Sequence, residues 1–153
     1  MSSYKYNPLS DTFDLVSGDG SATPSNVNIL TGSTVDTSLT EIFISGTSGN
    51  RYLIGQDSLI VFKATFAGKS NDNSKYAKFS RVLTVLRNST NDPSIASLEI
   101  VDSDTGSNNG SPPTGWAVSF NIDTSTDALK VEVTGENNVG WKCQLEDIEN
   151  NVI

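Results

Sequence analysis

The stretch "WAVSFNID", residues 116–123, constrains the fold more than any other because it alternates without error. Trp116, Val118, Phe120 and Ile122 point one way, and Ala117, Ser119, Asn121 and Asp123 the other. A period of two belongs to a β-strand with one buried and one wet face. "DALKVEVTG" follows after a polar turn and opposes Leu129, Val131 and Val133 to Lys130, Glu132 and Thr134. "TGENNVG" then turns the chain into "WKCQLEDIE", where Trp141, Cys143 and Leu145 alternate with Lys142, Gln144 and Glu146. Consecutive strands of this kind form one antiparallel layer of a sandwich.

The same texture starts near Leu39. "TEIFIS" is a short strand, and "GTSGNR" turns after it. "DSLIVFKATFAG" sets Ile60, Phe62, Ala64 and Phe66 against Leu59, Val61, Lys63 and Thr65. Its second face is apolar in the first half, which asks for cover on both sides. Beyond the polar loop "KSNDNS", the run "KYAKFSRVLTVLRN" sets Ala77, Phe79, Arg81, Leu83 and Val85 against Lys78, Ser80, Val82, Thr84 and Leu86. "IASLEIVDS" is a further short strand, and "VDSDTGSNNGSPPTG" reads as a long polar connection.

The spacing predicts an all-β fold, an antiparallel, jelly-roll-like β-sandwich of about seven or eight strands with an extended N-terminal arm. The sandwich is expected over residues 38–153. Residues 21–37 are rich in Ser and Thr, with Pro24 and Gly32 among them, and are expected to form a flexible linker. Residues 1–20 are expected to be a docking arm. Tyr4, Tyr6, Leu9, Phe13 and Leu15 crowd there around Pro8, and aromatic side chains of this size need a surface to bury against. A terminal strand tied into the same sandwich would need similar residues.

Composition removes several chemistries. With one Cys and no His, neither a Ser-His-Asp nor a Cys-His nucleophile can be assembled, nor a His-based zinc site. Cys143 falls on the apolar face of its strand, where a free thiol packs as a small hydrophobe. The opening residues lack the apolar run of a signal peptide. No stretch reaches the roughly 20 apolar residues of a membrane helix, so no membrane insertion is expected. Without a secretion signal the "NST" at 88–90 carries little weight as a glycosylation acceptor.

The net charge of −8 is unevenly spread. Residues 63–87 hold six basic residues against Asp72 alone, whereas residues 88–153 hold Lys130 and Lys142 against eleven acids. Solvated strand faces account for this, and so would a basic hairpin of one subunit facing acidic strands of the next. An acidic total without an aromatic-basic groove gives no reason to expect nucleic acid as a partner.

Asp102, Asp104 and Asn108 imitate the start of a calcium loop. Ser107 then stands where the turn glycine belongs and Pro113 where the bidentate acid belongs, so no metal is expected. Each acid that can be placed falls in a turn or on a wet face, and no catalytic residue or cofactor is expected. For a carbohydrate-binding module, Trp116 and Trp141 point inward, which leaves Tyr52 and Tyr76, near turns, as possible glycan contacts.

The ending "GWAVSFNIDTSTDALKVEVTGENNVGWKCQLEDIEN" resembles a β-domain of tailed-bacteriophage virion proteins, often found at the ends of tail fibres. The shared pattern is a Trp-led strand, a "T..AL.V.VTG" hairpin and a closing strand with "V.W......E". "DSLIVFKATFAGKS...YAKFSRVLTVLRN" looks like the earlier strands of that domain, so the resemblance covers roughly residues 40–150. "YKYNPLSDTFDLV" is similar to short "YNP.T..FD.V" phrases near the start of phage fibre and baseplate-associated proteins. The resemblance implies a homotrimer located in the virion, whose N-terminal segment, through Tyr4, Tyr6, Pro8, Leu9, Phe13 and Leu15, docks on other virion proteins. It leaves open a small tail fibre, a baseplate- or tail-attached protein, a capsid decoration (cement or head fibre) protein and contact with host surface glycan.

Overall fold

The computed structural model describes residues 3–7, 12–16 and 26–152, with side chains over 26–148. All its regular elements are strands: β1 (Ser3–Asn7), β2 (Thr12–Val16), β3 (Asn26–Thr34), β4 (Thr40–Ile44), β5 (Tyr52–Leu53), β6 (Ser58–Ser70), β7 (Lys75–Arg87), β8 (Ser94–Ser107), β9 (Ala117–Asp123), β10 (Ala128–Thr134) and β11 (Val139–Val152). β1 and β2 form a two-stranded sheet, and the other nine form a second one. From edge to edge that sheet runs β8, β7, β6, β11, β3, β4, β10, β9, with β5 beside β4 on the same flank of β10. Every pairing in it is antiparallel.

β4 is the corner that makes one sheet into two layers. Its first half pairs with β10 and its last two residues pair with β3. Gly32 lies at the crossing, where a Cβ would stand 2.7 Å from Ile42 Cγ2, so the strands can pass this closely only without a side chain. Beyond the corner, β10, β9 and β5 fold back over β11, β6 and β7. Ring contacts mark the packing between layers: Phe66 to Phe120 at 5.8 Å, Trp116 to Trp141 at 5.6 Å and Tyr52 edge-on to Phe62 at 4.8 Å between centroids. Edge-on and tilted geometries of this kind add to plain area burial.

The alternation read in the sequence holds through this core. Ile60, Phe62, Ala64 and Phe66 are buried on β6; Ala77, Phe79, Leu83 and Val85 on β7; Leu129, Val131 and Val133 on β10; Val139, Trp141, Cys143 and Leu145 on β11. Trp116 is buried just ahead of β9, and Val118, Phe120 and Ile122 pack against the same core. Arg81 follows its strand's alternation inward and is 8% exposed. Its guanidinium donates to the carbonyls of Ser80 (2.9 Å) and Asp102 (2.5 Å) and to Ser103 Oγ (2.9 Å), and lies 5.3 Å from the Phe79 ring centroid. Burial pulls its pKa below the ordinary arginine value.

Three sequence expectations need correction. The flexible linker placed at 21–37 contains β3, which is clamped between β11 and β4 and buries Leu30 and Thr34. The polar connection begun at Val101 is strand as far as Ser107, so β8 has 14 residues, and only residues 108–116 link it to β9. The second face of β10 is not wet: Ala128 and Glu132 are buried. Arg51 spans the outer side of this layer, donating through Nη2 to Glu41 (2.9 Å) and through Nη1 to Asp123 (2.8 Å), with Phe43 beneath it.

Candidate functional site

The N-terminal residues form a hairpin. The register sets Tyr4 opposite Leu15 and Tyr6 opposite Phe13, with Lys5 opposite Asp14 between them. Directly opposed residues share a face of an antiparallel ribbon, so these positions make one apolar face and one carrying a lysine and an aspartate. Pro8 and Leu9, placed in the docking arm from the sequence, lie outside the described residues. Among the described residues, β1 and β2 have no ladder partner in the larger sheet. A lone two-stranded ribbon is marginal in water and needs another surface for its apolar face.

A second unsatisfied surface is one the sequence did not reveal. β8 pairs with β7 over its length, and among the described residues no strand makes a ladder with its other edge. Two β-bulges interrupt the ladder, with Ala96 and Val101 as the extra residues. Each bulge reverses the phase of alternation. Leu98 therefore faces inward opposite Leu83, and Ile100 opposite Arg81, while Glu99, Asp102 and Asp104 lie on the outer side opposite Val82, Ser80 and Lys78. The layer across the core has fewer strands, and it leaves Leu98 50% and Ile100 68% exposed although both share a face with the core. Bulged Val101 is 56% exposed beside them. The acidic row runs alongside the basic one of β6 and β7 within a single chain, where Lys78 opposes Asp104 and Lys63 opposes Glu146.

The two tyrosines considered for glycan binding are not brought together. Tyr52 is half-buried, its ring against Phe62 and its hydroxyl donating to buried Asp147 at 2.7 Å, so it forms part of the core wall. Tyr76 is 47% exposed and sits near the start of β7, seven positions along that strand from Leu83, the partner of Phe62, and so about 23 Å away at the rise of a strand. Cys143 is fully buried, and burial pushes its thiol far above the ordinary range, which makes it inert packing. Among the described residues no group of three or more His, Cys, Asp or Glu is arranged to hold a metal. No helix among them is long and apolar enough to cross a membrane.

At the end of the sandwich near Tyr76, the β6–β7 and β10–β11 turns enclose a polar cavity of about 270 Å³. Lys75 Nζ reaches Glu136 across it at 3.0 Å, and the Asn71 amide donates to the Asn138 carbonyl at 2.9 Å. Asp72 accepts from the hydroxyls of Ser70 (2.6 Å) and Ser74 (2.7 Å) and from the Ser74 amide (3.0 Å). These donors, the Ser70 hydroxyl first, hold its carboxyl down to about 2. Lys75 and Glu136 are thus spent on each other across the two turns, and Asp72 is spent on the donors of its own turn.

No protein-family model matches the chain, and no curated protein does. Among solved structures, the tailspike protein of Acinetobacter baumannii phage AM24 is similar at a TM-score of 0.44 and 9% identity, over 83% of this chain and 27% of the tailspike. The matched region thus spans about a quarter of the tailspike's length.

Proposed function

We propose that the chain is a non-enzymatic structural component of a tailed-phage virion: a small tail fibre or baseplate- or tail-attached protein that docks through residues 1–20 and displays the sandwich, where it serves host attachment. The observation that carries the docking role is the N-terminal hairpin, which pairs with itself and presents Tyr4, Tyr6, Phe13 and Leu15 at face-sharing positions. Aromatic residues on a small ribbon are the usual hot spots of a protein contact. The phage setting rests on the resemblance of the "YNP" opening and of the last three strands to phage fibre proteins. Several copies tethered together would add avidity without strong single contacts, which suits a symmetric particle.

Deletion of residues 1–20 tests this reading, since the larger sheet begins at Asn26. The truncated protein should keep its β-type circular dichroism and its unfolding midpoint while failing to enter particles in a co-assembly assay. Undiminished incorporation overturns the proposal. Gold labelling of intact particles locates the protein, and label on the head rather than the tail would make it a capsid decoration protein.

A further inference from the structure

We infer that the exposed edge of β8 receives β1 from a second copy of this chain, by strand addition. Both partners are incomplete in matching ways. β8 is a long edge strand with exposed Leu98 and Ile100 on its inner side and Glu99, Asp102 and Asp104 on its outer side. An edge of this kind templates another strand unless something blunts it. β1 carries Tyr4 and Tyr6 at alternate positions with Lys5 between them. Laid beside β8 with the tyrosines on the inner side, it continues the apolar strip and sets Lys5 among the three outer carboxylates. β2 cannot replace it: in the same phase, with Phe13 and Leu15 inward, Asp14 would meet that acidic row. Charge thus selects which strand of the hairpin pairs, and β2 remains available at the new edge for a virion partner.

The spans favour a neighbouring copy over the chain's own arm. Asn26 at the start of β3 lies on the rung that continues through Asp147, Phe62 and Leu83 to Leu98. At ~4.8 Å per strand, β8 is about 19 Å from β3 across that rung, and a β2 outside β1 would be about 29 Å away. Ten steps of backbone from Val16 to Asn26 reach at most ~33–36 Å. Closing the contact within one chain would stretch it close to its limit, whereas a second copy can approach without that cost. Each copy then donates β1 and receives another on β8, a head-to-tail contact that closes where the rotation between copies allows.

The test uses full-length protein in solution without particles, so its outcome is separate from that of docking on a virion. Sedimentation equilibrium of the native chain should show concentration-dependent self-association, with slow hydrogen exchange at β8 amides in the associated form. Ile100→Lys and Lys5→Glu should each weaken association by about tenfold or more, because one places a charge in the apolar strip and the other sets like charges side by side. Pairing Lys5→Glu with Asp102→Lys should restore most of the affinity. A native chain that stays monomeric overturns the inference, whether its β8 amides exchange freely or are covered by its own arm. So does association that survives Ile100→Lys and Lys5→Glu unchanged.

Discussion

β7 and β8 are neighbours of almost equal length, 13 and 14 residues, joined by a ladder along nearly their whole extent. Yet β7 alternates buried and exposed positions with hardly a break, while β8 has no buried residue. Both make backbone hydrogen bonds, so pairing does not account for the difference. What separates them is cover. β7 lies under the second layer, whereas the edge strand β8 meets that layer only in part: Ile95 packs against the core, and Leu98 and Ile100 stay open. The comparison shows that stability here comes from side chains meeting across the sandwich, and that a long strand can be held by its ladder while its apolar side chains wait for another surface.

Leu83 and Leu98 test this most directly, because they face each other on one rung of the same face. Leu83 has no exposed surface and Leu98 is half exposed. Leu83→Ala removes fully enclosed methyl groups and leaves a cavity, which should cost about 2–5 kcal/mol in urea unfolding. Leu98→Ala should cost only about 1 kcal/mol, since half of its surface stays in water and no closed cavity forms. Equal losses would show that β8 is already covered and would break the comparison.

Two glycines give a second matched pair of smaller effect. A Cβ on Gly68 would stand 2.6 Å from the buried Trp141 ring, and one on Gly106 would stand 2.4 Å from the Tyr76 ring. Both would require the ring to move. Trp141 is 3% exposed and packed between Phe79 and Trp116, so Gly68→Ala should cost about 1–3 kcal/mol of overpacking. Tyr76 can swing into solvent, and Gly106→Ala should change the unfolding midpoint only slightly. Near-ultraviolet circular dichroism should register the first substitution through its tryptophans and barely register the second.

The contrast between covered and uncovered strands also explains what the sequence made legible. Where both flanking strands and the opposite layer are present, every second residue must be apolar, so β6, β7 and β11 were readable residue by residue, including the inward Arg81. β8 was not, because Ala96 and Val101 each reverse its phase and turn a periodic strand into the irregular string "SIASLEIVDSDTGS". β3 was hidden for another reason. Its inner positions are Leu30, Gly32 and Thr34; Gly32 is demanded by the crossing with Ile42, and Thr34 donates to the Glu136 carbonyl at 2.8 Å. Two of the three positions are thus fixed by geometry or hydrogen bonding, and what remains has the composition of a linker. The N-terminal cluster was visible as apolar, but its pairing was not, because the register of a hairpin depends on the backbone between the strands.

The smallest expected effect concerns acid, and it bears on the polar ends of the molecule. Asp123 is held down to about 2, first by the Ser125 hydroxyl and then by the Ser125 amide, with Arg51 adding its charge. Asp72 is held at a similar value by Ser70 and Ser74. A carboxylate whose folded pKa lies below its unfolded value stabilises the fold above the unfolded value, and that contribution disappears as pH falls through the folded one. Stability should therefore be flat above about pH 4 as far as these two groups are concerned, and decline between about pH 4 and pH 2. Both side chains lie at the surface, so the decline should be modest and should shrink further in salt. Asp123→Asn should flatten it by removing the group that titrates, as should Asp72→Asn at the other end of the sandwich. Melting temperatures of the three proteins across that window decide the matter. A native curve that does not fall there, or asparagine variants that fall as steeply as the native chain, would mean that the hydroxyl donors around these carboxylates are not holding them ionised, and that the two turns are closed by their backbone hydrogen bonds alone.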